Sequence, residues 1–135
     1  MASENLTVKR PPEVSAAEGA GLPIAAVTAL QALRTIGAKF DGTGEPLNVL
    51  ITAASGGAGL YAVQLAKLAG LHVTATCGAR NVELVKNLGV DEVLDYRTPE
   101  GASLQSPLGS MTASFTAQSG SAGRRSSLCS PTPVR

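Results

Sequence analysis

The stretch Asn48–Gly70, NVLITAASGGAGLYAVQLAKLAG, decides the fold. It opens with NVLITAA, a continuous apolar run bounded by the turn-rich DGTGEP (Asp41–Pro46) on one side and glycines on the other. Such a run suits a central parallel strand buried on both faces. After the glycines, LYAVQLAKLAG sets Leu60, Val63, Leu65, Ala66, Leu68 and Ala69 at helical spacing, and Gly70 is a helix stop. A buried strand, a glycine turn and a helix together make a familiar phosphate-holding unit.

Working outward, HVTATC (His72–Cys77) reads as a second, β-branched strand. RNVELVKNLG (Arg80–Gly89) reads as a second helix, apolar at Val82, Val85 and Leu88 and ended by Gly89, and DEVLDY (Asp91–Tyr96) as a third strand. The order β-α-β-α-β over residues 48–96 is one half of a doubly wound parallel sheet, a partial Rossmann fold of the α/β class. Upstream, Ser15 and Glu18 have capping-box spacing for a short helix. From Pro23 to Gly37 the residues are apolar almost all round, which predicts a separate, largely buried helix starting at Pro23. Residues 5–12, NLTVKRPP, fit an edge strand closed by the proline pair. From Gly101 onward, Ser, Gly and Pro dominate without a sustained period, the composition of a disordered tail.

Composition narrows the function classes. The 135 residues suit one domain, and 44% hydrophobic content is enough for a core. A net charge of +1 gives no push toward nucleic acid or acidic membranes. The charge is uneven: residues 1–100 hold all ten acids and eight of the eleven bases, whereas residues 101–135 hold three arginines and no acid. Two cysteines, Cys77 and Cys129, make no disulfide framework, and one histidine, His72, makes a metal cluster or a Ser/His triad improbable. No apolar run is long and glycine-poor enough to span a membrane, and MASENLTVKRPPE carries no apolar signal core.

The loop Ala54-Ser55-Gly56-Gly57-Ala58-Gly59 is A-x-G-x-x-G, a variant of the dinucleotide fingerprint G-x-G-x-x-G. Gly56 fills the position where the backbone approaches a pyrophosphate, and Gly59 the position where helix and strand pack closely. Ala54 replaces the first glycine, so the tight turn is expected there with a Cβ present. An isolated motif of this kind is more often a packing turn than a binding site; here the strand before it, the helix after it and the second strand reverse those odds. An acid after the second strand would bind the ribose 2′-hydroxyl of NAD. TATCGAR offers none; Arg80 stands there and favours a 2′-phosphate, hence NADP(H), although an arginine merely solvated at a helix start is the plain alternative. Cys77 lacks a base and reads as a buried strand-end cysteine. His72 reads as a solvated strand end, and Tyr96 either lies over the adenosine or caps a strand.

LTVKRP (Leu6–Pro11), LPIAAVTALQAL (Leu22–Leu33) and ITAASGGAGLYAVQLAKLAGLHVTATCGARNVELVKNLGVDEVLDYRTPEGA (Ile51–Ala102) resemble the zinc-free medium-chain dehydrogenase/reductases of quinone-oxidoreductase type. The resemblance covers roughly residues 2–107 and is most specific in AASGGAG and TCGARN. It implies an NADPH-dependent reductase of small quinones or α,β-unsaturated carbonyls, transferring hydride without a metal, with oligomers possible in the parent family. By the same resemblance Ser55, Gly56, Gly57, Ala58, Gly59 and Leu60 line the pyrophosphate. Cys77, Gly78, Ala79 and Arg80 surround the 2′-phosphate, Tyr96 contacts the adenosine part, and Thr28 lies near the nicotinamide end. It assigns no catalytic residue and no metal ligand to this chain. It implies that residues 1–14 correspond to the end of a barrel-like catalytic domain, 15–107 to part of an NADP-binding Rossmann domain, and 108–135 to a disordered, out-of-frame tail. Back-translated and read one frame over, residues 110–120 permit YDGVVHCTIG, the form of the family's next strand, so the frame is expected to change between Pro107 and Ser110. On this view the chain is a reductase fragment, not catalytic by itself, with an open three-stranded sheet edge. The alternative is a non-catalytic nucleotide- or partner-binding module, or an unstable pseudogene-like product. The resemblance points to the chloroplast, envelope or stroma, with the cytoplasm as the alternative.

Overall fold

The computed structural model describes residues 4–44, 47–102 and 113–116. Strands β1 (Asn48–Thr52), β2 (His72–Cys77), β3 (Glu92–Asp95) and β4 (Ala113–Thr116) form one sheet in the order β3-β2-β1-β4, every pair parallel. Helices α1 (Ala16–Thr35), α2 (Gly57–Leu68), α3 (Val82–Asn87) and the single turn α4 (Pro99–Ala102) complete the described elements, with short 3-10 turns at Glu4–Leu6 and Ala79–Asn81. The β-α-β-α-β reading of residues 48–96 is borne out. The register is continuous across the sheet, with Leu50 opposite both Thr74 and Ser114.

The core follows from the apolar runs. Val49, Leu50 and Ile51 are buried on β1, and every residue from Val73 to Cys77 is buried on β2, so both faces of the central strands are covered. Ala62, Val63 and Ala66 of α2 close over them, with Ala29, Ala32 and Leu33 of α1 and Val85 of α3 in the same cluster. Small alanines let these helices sit close. The helices stop where glycine allows a left-handed residue: Gly37, Gly70 and Gly89 have φ of +87°, +73° and +85°.

Four expectations are corrected. Residues 7–12 form no strand; Glu4–Leu6 is a 3-10 turn, and the proline pair that follows lacks the N–H groups a ladder needs. The two upstream helices are one. Ser15 and Glu18 make a full capping box, with the Glu18 N–H donating to Ser15 Oγ at 3.2 Å and the Ser15 N–H to Glu18 Oε2 at 2.8 Å. A bond from the Ser15 hydroxyl to Glu18 Oε2 at 2.6 Å, and then the Ser15 N–H, hold the Glu18 carboxyl below its ordinary range. The helix nucleated there runs straight through Pro23, whose ring removes a single interior hydrogen bond. That helix is also less buried than its composition suggests: only its later residues enter the core, and Ile24 remains 84% exposed. With Gly19, Gly21 and Pro23 inside it, α1 is long and apolar enough by length and composition alone to cross a membrane, a test that core helices also pass. Finally, the stretch expected to be a disordered tail contains β4, which pairs along β1 and covers the sheet edge expected to be open; residues 108–112 and 117–135 lie outside the described residues, as does Cys129.

At the end of the sheet where strands begin, Lys67 and Asp91 tie three elements together. Lys67 Nζ donates to Asp91 Oδ1 and Oδ2 at 2.9 and 2.8 Å and to the Leu71 carbonyl at 3.3 Å, while Asp91 Oδ2 accepts the Val73 N–H at 2.7 Å. Burial works against the charged carboxylate, but the Lys67 hydrogen bond, the Val73 N–H and the charges of Lys67 and His72 outweigh it and keep the Asp91 pKa low. A depressed carboxylate contributes stability above its unfolded pKa of about 3.9, and that contribution disappears as pH falls through the folded value. Asp91→Ala is therefore expected to destabilise the chain by about 1–2 kcal/mol at pH 7. Urea unfolding of both proteins should show this difference shrinking as the pH is lowered below about 3.9.

Candidate functional site

Because all strands are parallel, the turns that leave them gather at one edge of the sheet. With β2 on one side of β1 and β4 on the other, the strand order reverses at β1, the position where doubly wound sheets open a crevice. The turn leaving β1 is set by a close approach. A Cβ on Gly59 would meet the Ala53 carbonyl oxygen, lie 2.8 Å from Ala54 Cα and 2.9 Å from the Ala54 carbonyl oxygen. Glycine is required there, as the fingerprint predicts. The left-handed residue is not Ala54 but Ala53, with φ +51°. Ala54 is fully buried, and its N–H donates to the Thr76 carbonyl at 2.9 Å, which ties the turn to β2. The tight bend comes one residue earlier because the ladder to β2 still holds Ala54.

Helix α2 begins at Gly57 with Gly56 as its N-cap, and no side chain caps it. The Leu60 N–H donates to the Gly56 carbonyl at 2.9 Å, the first bond of the helix. The N–H groups of Gly57, Ala58 and Gly59 meet no acceptor among the described residues. In front of Gly57 a Cβ would meet nothing within 4 Å. Three donors without an acceptor at the positive end of a 12-residue helix, with open space beside Gly57, form an anion cradle. These residues fit a pyrophosphate.

The turn leaving β2 carries Gly78, Ala79, Arg80 and Asn81. The Tyr96 hydroxyl lies over Gly78, 2.9 Å from where a Cβ would stand, and the Tyr96 N–H donates to the Cys77 carbonyl at 3.3 Å. Tyr96 is 53% exposed, so its ring is available at this edge. Arg80 is exposed in the 3-10 turn and has no ion-pair partner among the described residues. Cys77 is the buried last residue of β2, as expected; burial, and then the nearby Asp95 carboxylate, push its thiol up, which keeps it protonated and un-nucleophilic. His72 opens β2 half-buried rather than fully solvated.

The structure thus gathers Ser55–Leu60 at the end of β1 and brings Gly78 and Tyr96 together at the neighbouring turn. Thr28 lies half-buried on α1, with no hydrogen bond to either turn. One residue escaped the sequence reading. Asn81 Nδ2 donates to Ser55 Oγ at 3.1 Å across the two turns. An asparagine at the first position of a helix was the available signal, but that placement ordinarily means a cap.

No protein-family model matches the chain. It is 70% identical over 110 residues to the chloroplast envelope quinone oxidoreductase homolog of Arabidopsis thaliana, covering 81% of this chain and 33% of that protein. The quinone oxidoreductase of Coxiella burnetii superposes with a TM-score of 0.71 at 32% identity, over 80% of this chain and 32% of that one. Over about four-fifths of its length the chain is thus similar to quinone oxidoreductases of the medium-chain dehydrogenase/reductase superfamily. A further member, the Thermus thermophilus quinone oxidoreductase solved alone and with NADPH, superposes with a TM-score of 0.66 at 29% identity, over 82% of this chain and 35% of that one. This chain spans about a third of the length of such relatives.

The turn makes two opposite demands on side chains. Ala53→Gly relieves a left-handed alanine whose exposed methyl packs against nothing essential, and should stabilise the chain by up to about 1 kcal/mol. Gly59→Ala drives a methyl into backbone and should destabilise it by about 3 kcal/mol or more. Thermal unfolding of the two variants beside the unmodified chain checks both signs.

Proposed function

We propose that this chain binds the adenosine-pyrophosphate portion of NADP(H), and that its lineage is that of reductases acting on quinones or α,β-unsaturated carbonyls. The observation that carries this reading is the set of N–H groups at Gly57, Ala58 and Gly59 that meet no acceptor among the described residues, at the switch point of the sheet. Residues 15–107 are proposed as the cofactor-binding unit. Ser55 and the N–H groups that follow would hold the pyrophosphate, with Leu60 covering it. Gly78, Ala79 and Arg80 beside Cys77 would take the adenosine 2′-phosphate, Tyr96 would lie on the adenosine, and Thr28 is assigned to the nicotinamide end. When bound, the cofactor supplies a hydride. The chain's own part is to neutralise and orient the phosphates with fixed donors that need no rearrangement. Because the chain spans about a third of its relatives, turnover is proposed for the lineage and cofactor binding for the chain, which on this reading is a fragment not catalytic by itself. A chloroplast location, envelope or stroma, is proposed from the plant relatives, with the cytoplasm as the alternative.

A second reading, a partner-binding module without catalysis, draws on the exposed Leu22, Ile24 and Val27 of α1. Calorimetric titration of the purified chain with NADPH and with NADH, beside a quinone turnover assay, separates the readings. The cofactor reading expects NADPH to bind about tenfold or more tightly than NADH, since a charged hydrogen bond to the 2′-phosphate is worth about 1.5–3 kcal/mol. Arg80→Ala should bring the two affinities together. Equal affinities in the unmodified chain would refute the NADP assignment, and family-like turnover would refute the fragment reading.

A further inference from the structure

We propose that Asn81 is a positioning residue for the pyrophosphate, acting through the Ser55 hydroxyl; this rests on the cofactor reading above. Asn81 and Ser55 are 26 residues apart in sequence, on the turns that leave β2 and β1, and the half-buried bond from Nδ2 to Oγ is 3.1 Å long. Both residues are diverted from the work their type ordinarily does at a helix start. Asn81 is the N-cap of α3, yet its side chain makes no cap hydrogen bond. Ser55 directly precedes the N-cap of α2, and no side chain caps that helix either. An asparagine cap is worth about 1 kcal/mol, so the pairing across the turns forgoes a local gain.

The diversion has a chemical consequence. A serine hydroxyl has one hydrogen to donate and lone pairs to accept with. When Asn81 donates to Oγ, the lone-pair side is engaged and the hydroxyl hydrogen is left over. Ser55 donates to no acceptor among the described residues. It adjoins the free N–H groups of Gly57, Ala58 and Gly59, so the hydroxyl becomes a further donor at the same anion cradle. Asn81 is itself fixed, its N–H donating to the Gly78 carbonyl at 2.8 Å. The same short turn carries Arg80, so the geometry of the 2′-phosphate side is tied to that of the pyrophosphate side.

The experiment titrates the full chain and the variants Asn81→Ala, Asn81→Asp, Ser55→Ala and the Ser55→Ala/Asn81→Ala pair with NADPH and with adenosine 2′-monophosphate, which has no pyrophosphate. Circular dichroism melts report folding. Asn81→Ala and Ser55→Ala are each expected to weaken NADPH by about fivefold to tenfold, and the pair by no more than either alone. Affinity for adenosine 2′-monophosphate should stay unchanged in all of these. Asn81→Asp should weaken NADPH further than Asn81→Ala, because a carboxylate captures the Ser55 hydrogen and repels phosphate. Multiplying losses in the paired variant, or equal losses for both ligands, would overturn the proposal, as would an Asn81→Ala variant that binds NADPH normally. If the unmodified chain fails to bind NADPH, the cofactor reading falls together with this one; if the unmodified chain binds and Asn81→Ala changes nothing, only this one falls.

Discussion

The approach of Gly59 to the Ala53 carbonyl is the constraint from which the rest of this edge follows. It brings the start of α2 against the end of β1 with no side chain between them. The chain must therefore reverse within Ala53–Gly56, which forces Ala53 into a left-handed conformation, while the Ala54 N–H stays on the Thr76 carbonyl. The helix then starts so abruptly that its first N–H groups have no turn before them to bond to. What looks like a ligand site is, in origin, the by-product of packing a helix onto a strand at backbone distance.

The two ends of the sheet treat polar groups in opposite ways. Where the strands begin, Lys67 and Asp91 satisfy each other, the Leu71 carbonyl and the Val73 N–H, joining the end of α2 to the starts of β2 and β3. Where the strands end, the first donors of α2 meet no acceptor and Arg80, on the neighbouring turn, has no ion-pair partner among the described residues. Polar groups that are closed off hold a fold together. Polar groups that are left open need something from outside, and the division falls along the strand direction, as the crevice rule for α/β sheets requires.

Much of this was legible in the residues. The apolar run at Val49–Ile51, the glycine stops at Gly37, Gly70 and Gly89, and the Ser15–Glu18 spacing each report a local physical demand, and each appears where expected. The turn Thr98-Pro99-Glu100 went unread, although Thr98 Oγ1 accepts the Gly101 N–H at 3.1 Å and starts α4 as a threonine before proline ordinarily does. Pro23 misled for a plain reason. A proline marks a helix start only when nothing upstream has already nucleated the helix, and here a capping box had. Apolar composition all round also failed to imply burial, because Leu22, Ile24 and Val27 precede the part of α1 that reaches the core. The link from Asn81 to Ser55 was beyond any local reading, since it depends on two turns meeting in space.

Placing β1 between β2 and β4 also imposes an order in time. The partners of β1 on one side follow after a single helix, whereas those on the other side come from the far end of the described chain. Loop closure is easier for the nearer pair, and pairings between distant segments form slowly. The β1–β2 unit, with α2 folded over it, can thus exist before β4 arrives, and during that interval one flank of the most apolar strand has unpaired backbone groups. As a ribosome releases the chain from its N-terminus, the segment that seals that flank is the last of the described strands to emerge.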